Sequence, residues 1–246
     1  MKLIAKNGLL VLLLSMQCLS ATWAAMVIEG TRVVVRGGDK ETIVKMSNQG
    51  NVPLVVQTWI DNGEPDRDKT PDQIRVPYNL TPPIARVDPT KGQTVRIFQT
   101  GETMPLDRES LYWFNVLEIP PKNKQLEESL VQFTIRSRLK LIYRPKALGR
   151  DVPREAINQI RWTLVTDKEG KIALRAHNLT PYFFTFGHGE VLTTAAGSLK
   201  LQGDMAAPFG TVDLYPEKGS LSGVKNFQMT YINDFGAMVD FKVSLP

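Results

Sequence analysis

The chain of 246 residues is 42% hydrophobic and carries 30 Lys and Arg against 25 Asp and Glu, a net charge of +5. These charges are spread along alternating segments and form no basic stripe with interleaved aromatics, which argues against a nucleic-acid binder. The only cysteine is Cys18, so no disulfide framework can form within the chain.

The N-terminus has Lys2 and Lys6, an apolar run from Gly8 to Leu14, and small residues at Ala21, Ala24 and Ala25. This is the pattern of a secretory signal peptide, and its apolar core is far shorter than the roughly 20 residues of a membrane-spanning helix. Cleavage after Ala24 puts Thr22 and Ala24 where the peptidase reads, so residues 1–24 are the expected leader and Ala25 the first mature residue. Cys18 leaves with the leader, and Gln17 stands where a lipidation site would have a small residue. Loss of Lys2 and Lys6 lowers the net charge from +5 to +3. The remaining length, about 220 residues, exceeds one typical domain and predicts two of similar size.

Past the leader, short apolar alternations are punctuated by turn residues: Thr31 to Val35, then Gly37-Gly38, Ile43 to Met46, Asn48 to Asn51, and Leu54 to Trp59. The polar stretch from Asp61 to Asp72 reads as a solvated loop. Further strands are predicted at Val95 to Phe98, Leu111 to Leu117, Leu130 to Tyr143, Trp162 to Val165, Ile172 to His177, Tyr182 to Phe186, Val212 to Leu214 and Phe227 to Ile232. The single helical candidate is Arg154 to Ile160, after Pro153. Many short strands broken by Gly and Pro predict an all-β chain of sandwiches. A boundary falls at Tyr143-Arg144-Pro145-Lys146, because proline cannot continue a central strand. It divides the mature chain into 25–144 and 145–246, each near the length of an immunoglobulin-like sandwich.

Catalytic constellations are not visible. His177 and His188 each stand alone, and there is no Gly-rich phosphate loop, nucleophile elbow or CxxC pair. No metal ligand set or cofactor motif is predicted. Asn79-Leu80-Thr81 and Asn178-Leu179-Thr180 match the glycosylation acceptor pattern, but so short a match is common, and both read as turns.

Two basic residues are better placed. Arg32 precedes Val33-Val34-Val35, and Lys140 lies between Leu139 and Leu141, so each is a charge amid apolar strand residues. A charge buried there needs an anionic partner; on an edge strand it would instead snorkel and guard against aggregation. Spacing leaves both readings open. The run Leu130 to Ile135 puts Val131, Phe133 and Ile135 on one face and Gln132 and Thr134 on the other. It fits a half-buried sandwich strand, or a sheet edge open to another chain by strand addition.

The stretch Met104-Pro105-Leu106-Asp107-Arg108-Glu109-Ser110-Leu111-Tyr112-Trp113-Phe114-Asn115-Val116-Leu117-Glu118-Ile119-Pro120-Pro121 resembles the signature of the PapD-like periplasmic pilus chaperones. Similarity continues in Thr31-Arg32-Val33, in Thr81-Pro82-Pro83, in Ser137 to Pro145, in Thr180-Pro181-Tyr182 and in Ile232 to Ala237, and so spans both predicted domains. The resemblance implies a boomerang of two immunoglobulin-like sandwiches, exported to the periplasm by the general secretory route. Arg32 and Lys140 would clamp the C-terminal carboxylate of a pilus subunit. Val131, Phe133 and Ile135 would be lent to a subunit that lacks its last strand, and the complex would be delivered to an outer-membrane usher. Glu109, Arg144 and Asp234 would form an ion network at the domain junction. Two copies of the free chaperone could cap each other's strand as a homodimer.

Strict alternation sets Lys140 on the opposite face from Val131, Phe133 and Ile135, which predicts a bulge or twist between Ile135 and Lys140. The segment from Trp59 to Thr81 is longer than the family pattern, and its role is open. The short connection from Lys122 to Leu126 and the lack of mature cysteines resemble the short-loop branch. Other classes fit less well. A sugar-binding sandwich would expose aromatics in loops, yet Trp59, Trp113 and Trp162 sit in strand patterns; a hydrolase would need an acid, base or nucleophile set. A structural pilin would usually be one domain with a cysteine pair.

Overall fold

The structure is a computed structural model. It describes residues 26–63, 70–121, 133–187, 189–193 and 197–245, with backbone alone for 189–193, 197 and 198. Among the described residues, nine strands build a first sandwich: β1 (Met26–Ile28), β2 (Arg32–Arg36), β3 (Thr42–Asn48), β4 (Leu54–Asp61), β5 (Tyr78–Thr81), β6 (Ile84–Val87), β7 (Gly92–Gln99), β8 (Ser110–Ile119) and β9 (Ile135–Arg144). One sheet has the order β1-β3-β7-β5 and the other β2-β9-β8-β4-β6. Alternation explains the layer between them. Leu54, Val56 and Ile60 of β4, Val44 and Met46 of β3, Val95 and Ile97 of β7, and Phe114 and Val116 of β8 turn inward to one buried cluster.

The second sandwich has β10 (Ile160–Thr166), β11 (Ile172–Asn178), β12 (Phe184–Phe186), β13 (Gly189–Thr193), β14 (Gly197–Leu201), β15 (Met205–Ala206), β16 (Thr211–Leu214), β17 (Asn226–Ile232) and β18 (Met238–Ser244). Its sheets run β10-β11-β16 and β14-β13-β17-β12-β15, with β18 paired to β17. Leu174, Phe186, Leu201, Leu214, Leu221, Phe227 and Met229 are almost fully buried in a separate core. Aromatic edges knit that core together, with Trp162 5.1 Å from Phe186 and Tyr231 5.7 Å from Phe184 between ring centroids.

The two sandwiches repeat one corner. Asn48 ends β3 and Asn178 ends β11, and both side chains are wholly buried. Asn48 Nδ2 donates to Val52 O and Val87 O, while its Oδ1 accepts from Gly50 N. Asn178 Nδ2 donates to Tyr182 O and Ala207 O, and its Oδ1 accepts from Thr180 N and Oγ1. An asparagine thus replaces ladder bonds where the strand ends, as turn chemistry requires. The Asn178-Leu179-Thr180 motif is a turn. The paired motif at Asn79 is not: Tyr78–Thr81 is β5, with Leu80 opposite Ile97. Proline residues 82 and 83 just beyond it mimic a turn signal.

Two other expectations shift. Arg154–Gln159 forms consecutive 3-10 turns and Ile160 already opens β10; so short a segment gains few propagation bonds to offset the cost of helix nucleation. In the segment from Asp61 to Thr81, β4 runs on to Asp61 and β5 resumes at Tyr78, with a 3-10 turn at Pro71–Gln73 between them.

Candidate functional site

β2 lies parallel to β9, in register from Arg32↔Lys140 to Arg36↔Arg144. β8 lies on the other side of β9 and pairs with it from Ile135 to Tyr143. Among the described residues, β9 is therefore covered on both edges only from Lys140 onward. From Ile135 to Leu139 no described residue pairs with its second edge. The covering strand begins at Arg32, so the open edge ends at the Arg32–Lys140 pair.

Both cations reach across to the second sandwich. Arg32 Nη1 donates to Ile232 O at 3.0 Å, and Lys140 Nζ donates to Thr185 Oγ1 at 3.0 Å. Thr185 and Ile232 are themselves paired across β12 and β17. A carbonyl and a hydroxyl satisfy geometry but carry no countercharge. Neither cation has an ion pair among the described residues, and Arg32 Nε is buried without a hydrogen-bond partner. Burial lowers the pKa of Arg32, opposed by the charges of Asp234 and Glu109. Burial also lowers that of Lys140, and Arg32 beside it adds to the shift. Two half-buried cations side by side make a ready anion site.

Behind this pair, Arg144 is fully buried. Its Nε donates to Glu109 Oε1 at 2.7 Å, and its Nη1 and Nη2 grip Asp234 through Oδ2 and Oδ1 at 2.7 and 2.8 Å. Nη1 also donates to Arg150 O, and Glu109 Oε2 accepts from Phe183 N. Glu109 and Arg144 come from the first sandwich's sequence, Asp234 from the β17–β18 turn and Phe183 from the lead into β12. One guanidinium thus fastens both sandwiches and the connection between them. Burial disfavours the charge of Arg144, but its bonds to Asp234 and the charge of Glu109 outweigh that and raise its pKa. Glu109 is pushed up by burial against the pull of Arg144.

Phe133 is 78% exposed and Ile135 51% exposed, so neither belongs to the core. Val131 lies outside the described residues, as do the leader and His188. His177 is exposed in β11, between Arg161 and Thr211. The expected bulge is absent: every pair from Glu118↔Ile135 to Ser110↔Tyr143 follows the last without a skipped residue. Ile135 shares a face with Leu139 and Leu141, while Lys140 shares the opposite face with Arg136 and Arg138. The sequence reading missed Thr185 and the Ile232 carbonyl as partners of the cations, since neither carries a charge and a backbone carbonyl leaves no mark in side-chain chemistry; only the tertiary fold sets them opposite the cations.

The N-terminal domain model of the pili and flagellar-assembly chaperones matches residues 25–149, and the C-terminal domain model of the pili assembly chaperones matches residues 155–242. The chain is 43% identical to the chaperone protein FimB/FhaD of Bordetella pertussis, over 92% of this chain and 90% of that protein. It is 40% identical to the probable fimbrial chaperone YadV of Escherichia coli, over 90% of each. The crystal structure of YadV superposes with a TM-score of 0.75, covering 90% of this chain and all of the other. The crystal structure of the Pseudomonas aeruginosa CupB2 chaperone gives 0.72 at 30% identity, covering 89% of this chain and all of the other. The fold is a pair of immunoglobulin-like sandwiches, and the protein is a chaperone, not an enzyme. The chain belongs to the PapD-like family of pilus-assembly chaperones.

Proposed function

We propose that this chain binds pilus subunits in the periplasm by donating a strand, and hands them to an outer-membrane usher. The observation that carries the reading is the edge of β9, unpaired among the described residues from Ile135 to Leu139 and closed at Lys140 by a strand whose first residue is Arg32. A chain added to that open edge in line with β2 runs parallel to β9 and stops where β2 starts. Its C-terminal carboxylate then lies against Arg32 and Lys140, two cations that have no ion pair among the described residues. Charge-assisted bonds there fix the register of the added strand.

The face of Ile135 and Phe133 needs no bulge to work with this clamp. A terminal carboxylate lies in the plane of the sheet, at the end of its strand, so side chains on either face of the sheet can reach it. The exposed Phe133 and Ile135, with Val131 before them, are free to fill the open groove of a subunit. Each such side chain contributes roughly 1.5 to 3 kcal/mol on full burial. Pairing also covers the subunit's own unpaired edges, which would otherwise template aggregation. Glu109, Arg144 and Asp234 hold the angle between the sandwiches of residues 25–144 and 145–246, and residues 1–24 direct export and are removed.

The test is co-expression with a pilus subunit. Arg32→Ala and Lys140→Ala should each leave the chaperone folded and exported while the subunit is degraded. Unchanged periplasmic subunit levels with both variants would overturn the clamp.

A further inference from the structure

On the outer face of the first sandwich, β9 presents Arg136, Arg138 and Lys140 at every second position. The neighbouring strands set an indole ring beneath each of the two arginines. The Arg136 guanidinium lies 4.8 Å over the Trp59 ring and that of Arg138 lies 4.3 Å over the Trp113 ring. Asp61, its side chain only 8% exposed, accepts from Arg138 Nη2 at 2.6 Å and Arg136 Nη2 at 3.3 Å. Asn115 Nδ2 and Gly63 N donate to the same carboxylate. Asn115 Oδ1 accepts from Arg136 Nε and Nη2.

Among the described residues one buried carboxylate is therefore shared by two guanidinium groups, which leaves one positive charge over. The side chains of Arg136 and Arg138 stay 48% and 36% exposed, and neither Nη1 group has a bond among the described residues. The indole ring beneath each guanidinium and the shared Asp61 hold the group in place and leave its Nη1 donors for a further acceptor, as planar recognition of a carboxylate requires. The ladder flanks the part of β9 whose second edge is open, and it shares a face with Lys140.

We infer that Arg136 and Arg138 form an acidic-residue reader beside the carboxylate clamp, engaging Asp or Glu side chains on the outward face of the last four residues of the bound subunit strand. This rests on the proposed strand addition. Continuing the Arg32↔Lys140 register backward sets one outward residue of the added strand beside Arg138 and the next beside Arg136. Intervening residues point to the opposite face. The excess positive charge selects acidic side chains there and disfavours basic ones.

The test uses the purified mature chain and acetylated twelve-residue peptides of alternating Val and Thr. One pair carries Glu or Gln at the last and third-last positions; a second pair carries them at the second-last and fourth-last. Each peptide is made with a free C-terminal carboxylate and as the amide. In one of the two placements, and not in the other, Glu should bind about five-fold more tightly than Gln, in line with a half-exposed charge pair. Arg138→Gln should abolish that preference while keeping the preference for a free carboxylate over the amide. Arg138→Lys, with its urea midpoint checked, separates loss of charge from loss of the fold and should keep part of the preference. Equal binding of Glu and Gln peptides in both placements, with the carboxylate preference intact, overturns the reader alone. Absence of any carboxylate preference overturns the clamp on which it rests, and the reader with it.

Discussion

Arg32 and Lys140 stand opposite one another on parallel strands, and the two groups they touch on the second sandwich, Ile232 O and Thr185 Oγ1, belong to residues that are likewise opposite one another on β17 and β12. Two registered pairs thus face each other, one cationic and one neutral. The neutral pair supports the cations without discharging them. In the free protein their burial and mutual repulsion oppose folding; an arriving carboxylate removes that opposition.

Lys140→Met should therefore yield a chain that unfolds at a higher urea concentration than wild type at pH 7, although it no longer retains a subunit. The pKa of Lys140 is lowered in the folded chain by burial and by Arg32. Its unfolded value is about 10.4. Between the two values the folded lysine releases its proton first, so its contribution to stability grows as pH rises through that window and is lost as pH falls. The gap in urea midpoint between the variant and wild type should narrow toward pH 10. A gap that stays constant from pH 7 to 10 would show that the lysine's charge is not the cause.

Phe133→Asp should leave stability within about 0.5 kcal/mol of wild type, because an exposed side chain removed from the surface has little effect. Subunit complexes should be lost, since a carboxylate cannot enter an apolar groove unpaired. The two measurements are a urea titration of the purified variant and co-purification of a subunit from the periplasm. A large fall in stability would assign Phe133 to the chaperone's own packing.

Much of this architecture is written in local pattern. The alternation in Leu54 to Trp59 and in Leu111 to Leu117 marks β4 and β8, because a half-buried sheet must turn every second residue inward. The strands that escaped notice, such as Tyr78–Thr81 and Met238–Ser244, are short or lie beside turn formers, and their identity comes from their partners: β7 for the first and β17 for the second. At the site, charges amid apolar residues flagged Arg32 and Lys140. The ladder of Arg136 and Arg138 continues the same spacing and was open to the same reading. Asp61 was not, since it stood in what looked like a loop and only the extension of β4 brings it under the arginines.

Arg144→Ala should be the most damaging single change at the domain junction. It leaves Glu109 and Asp234 buried or nearly so without the cation that both share, and loss of one partner of a buried ion pair typically costs roughly 3 to 5 kcal/mol. The same side chain also holds Arg150 O, in the connection between the sandwiches. Urea unfolding followed by tryptophan fluorescence reports both sandwiches, through Trp59 and Trp113 in the first and Trp162 in the second. The expected result is an earlier transition that splits into two steps. One unchanged cooperative transition would mean that the sandwiches are coupled by other contacts.

Asn178 offers a test of the repeated corner. Its amide donates to Tyr182 O and Ala207 O, and its carbonyl accepts from Thr180. Asn178→Ala removes all four bonds inside the protein and strands several backbone groups, each of which costs roughly 1 to 3 kcal/mol when left unpaired. Asn178→Asp should be worse at pH 7, because an ionised oxygen would replace the donor that faces two carbonyls. Protonation converts that oxygen back to a donor. The buried aspartate would thus have its folded pKa raised above the unfolded value, and the stability of the Asp variant should fall as pH rises through that raised value and recover on acidification. The Ala variant has no group there to titrate and should show no such recovery relative to wild type. Measuring urea midpoints of all three proteins between pH 4 and 8 decides the matter: parallel pH profiles for the Asp and Ala variants would mean that the amide is not aimed at those carbonyls in solution. Asn48 holds the same position in the first sandwich, with Val52 O and Val87 O as its acceptors. Asn48→Asp should therefore repeat the effect, and in that case the early transition should be the one reported by Trp59 and Trp113.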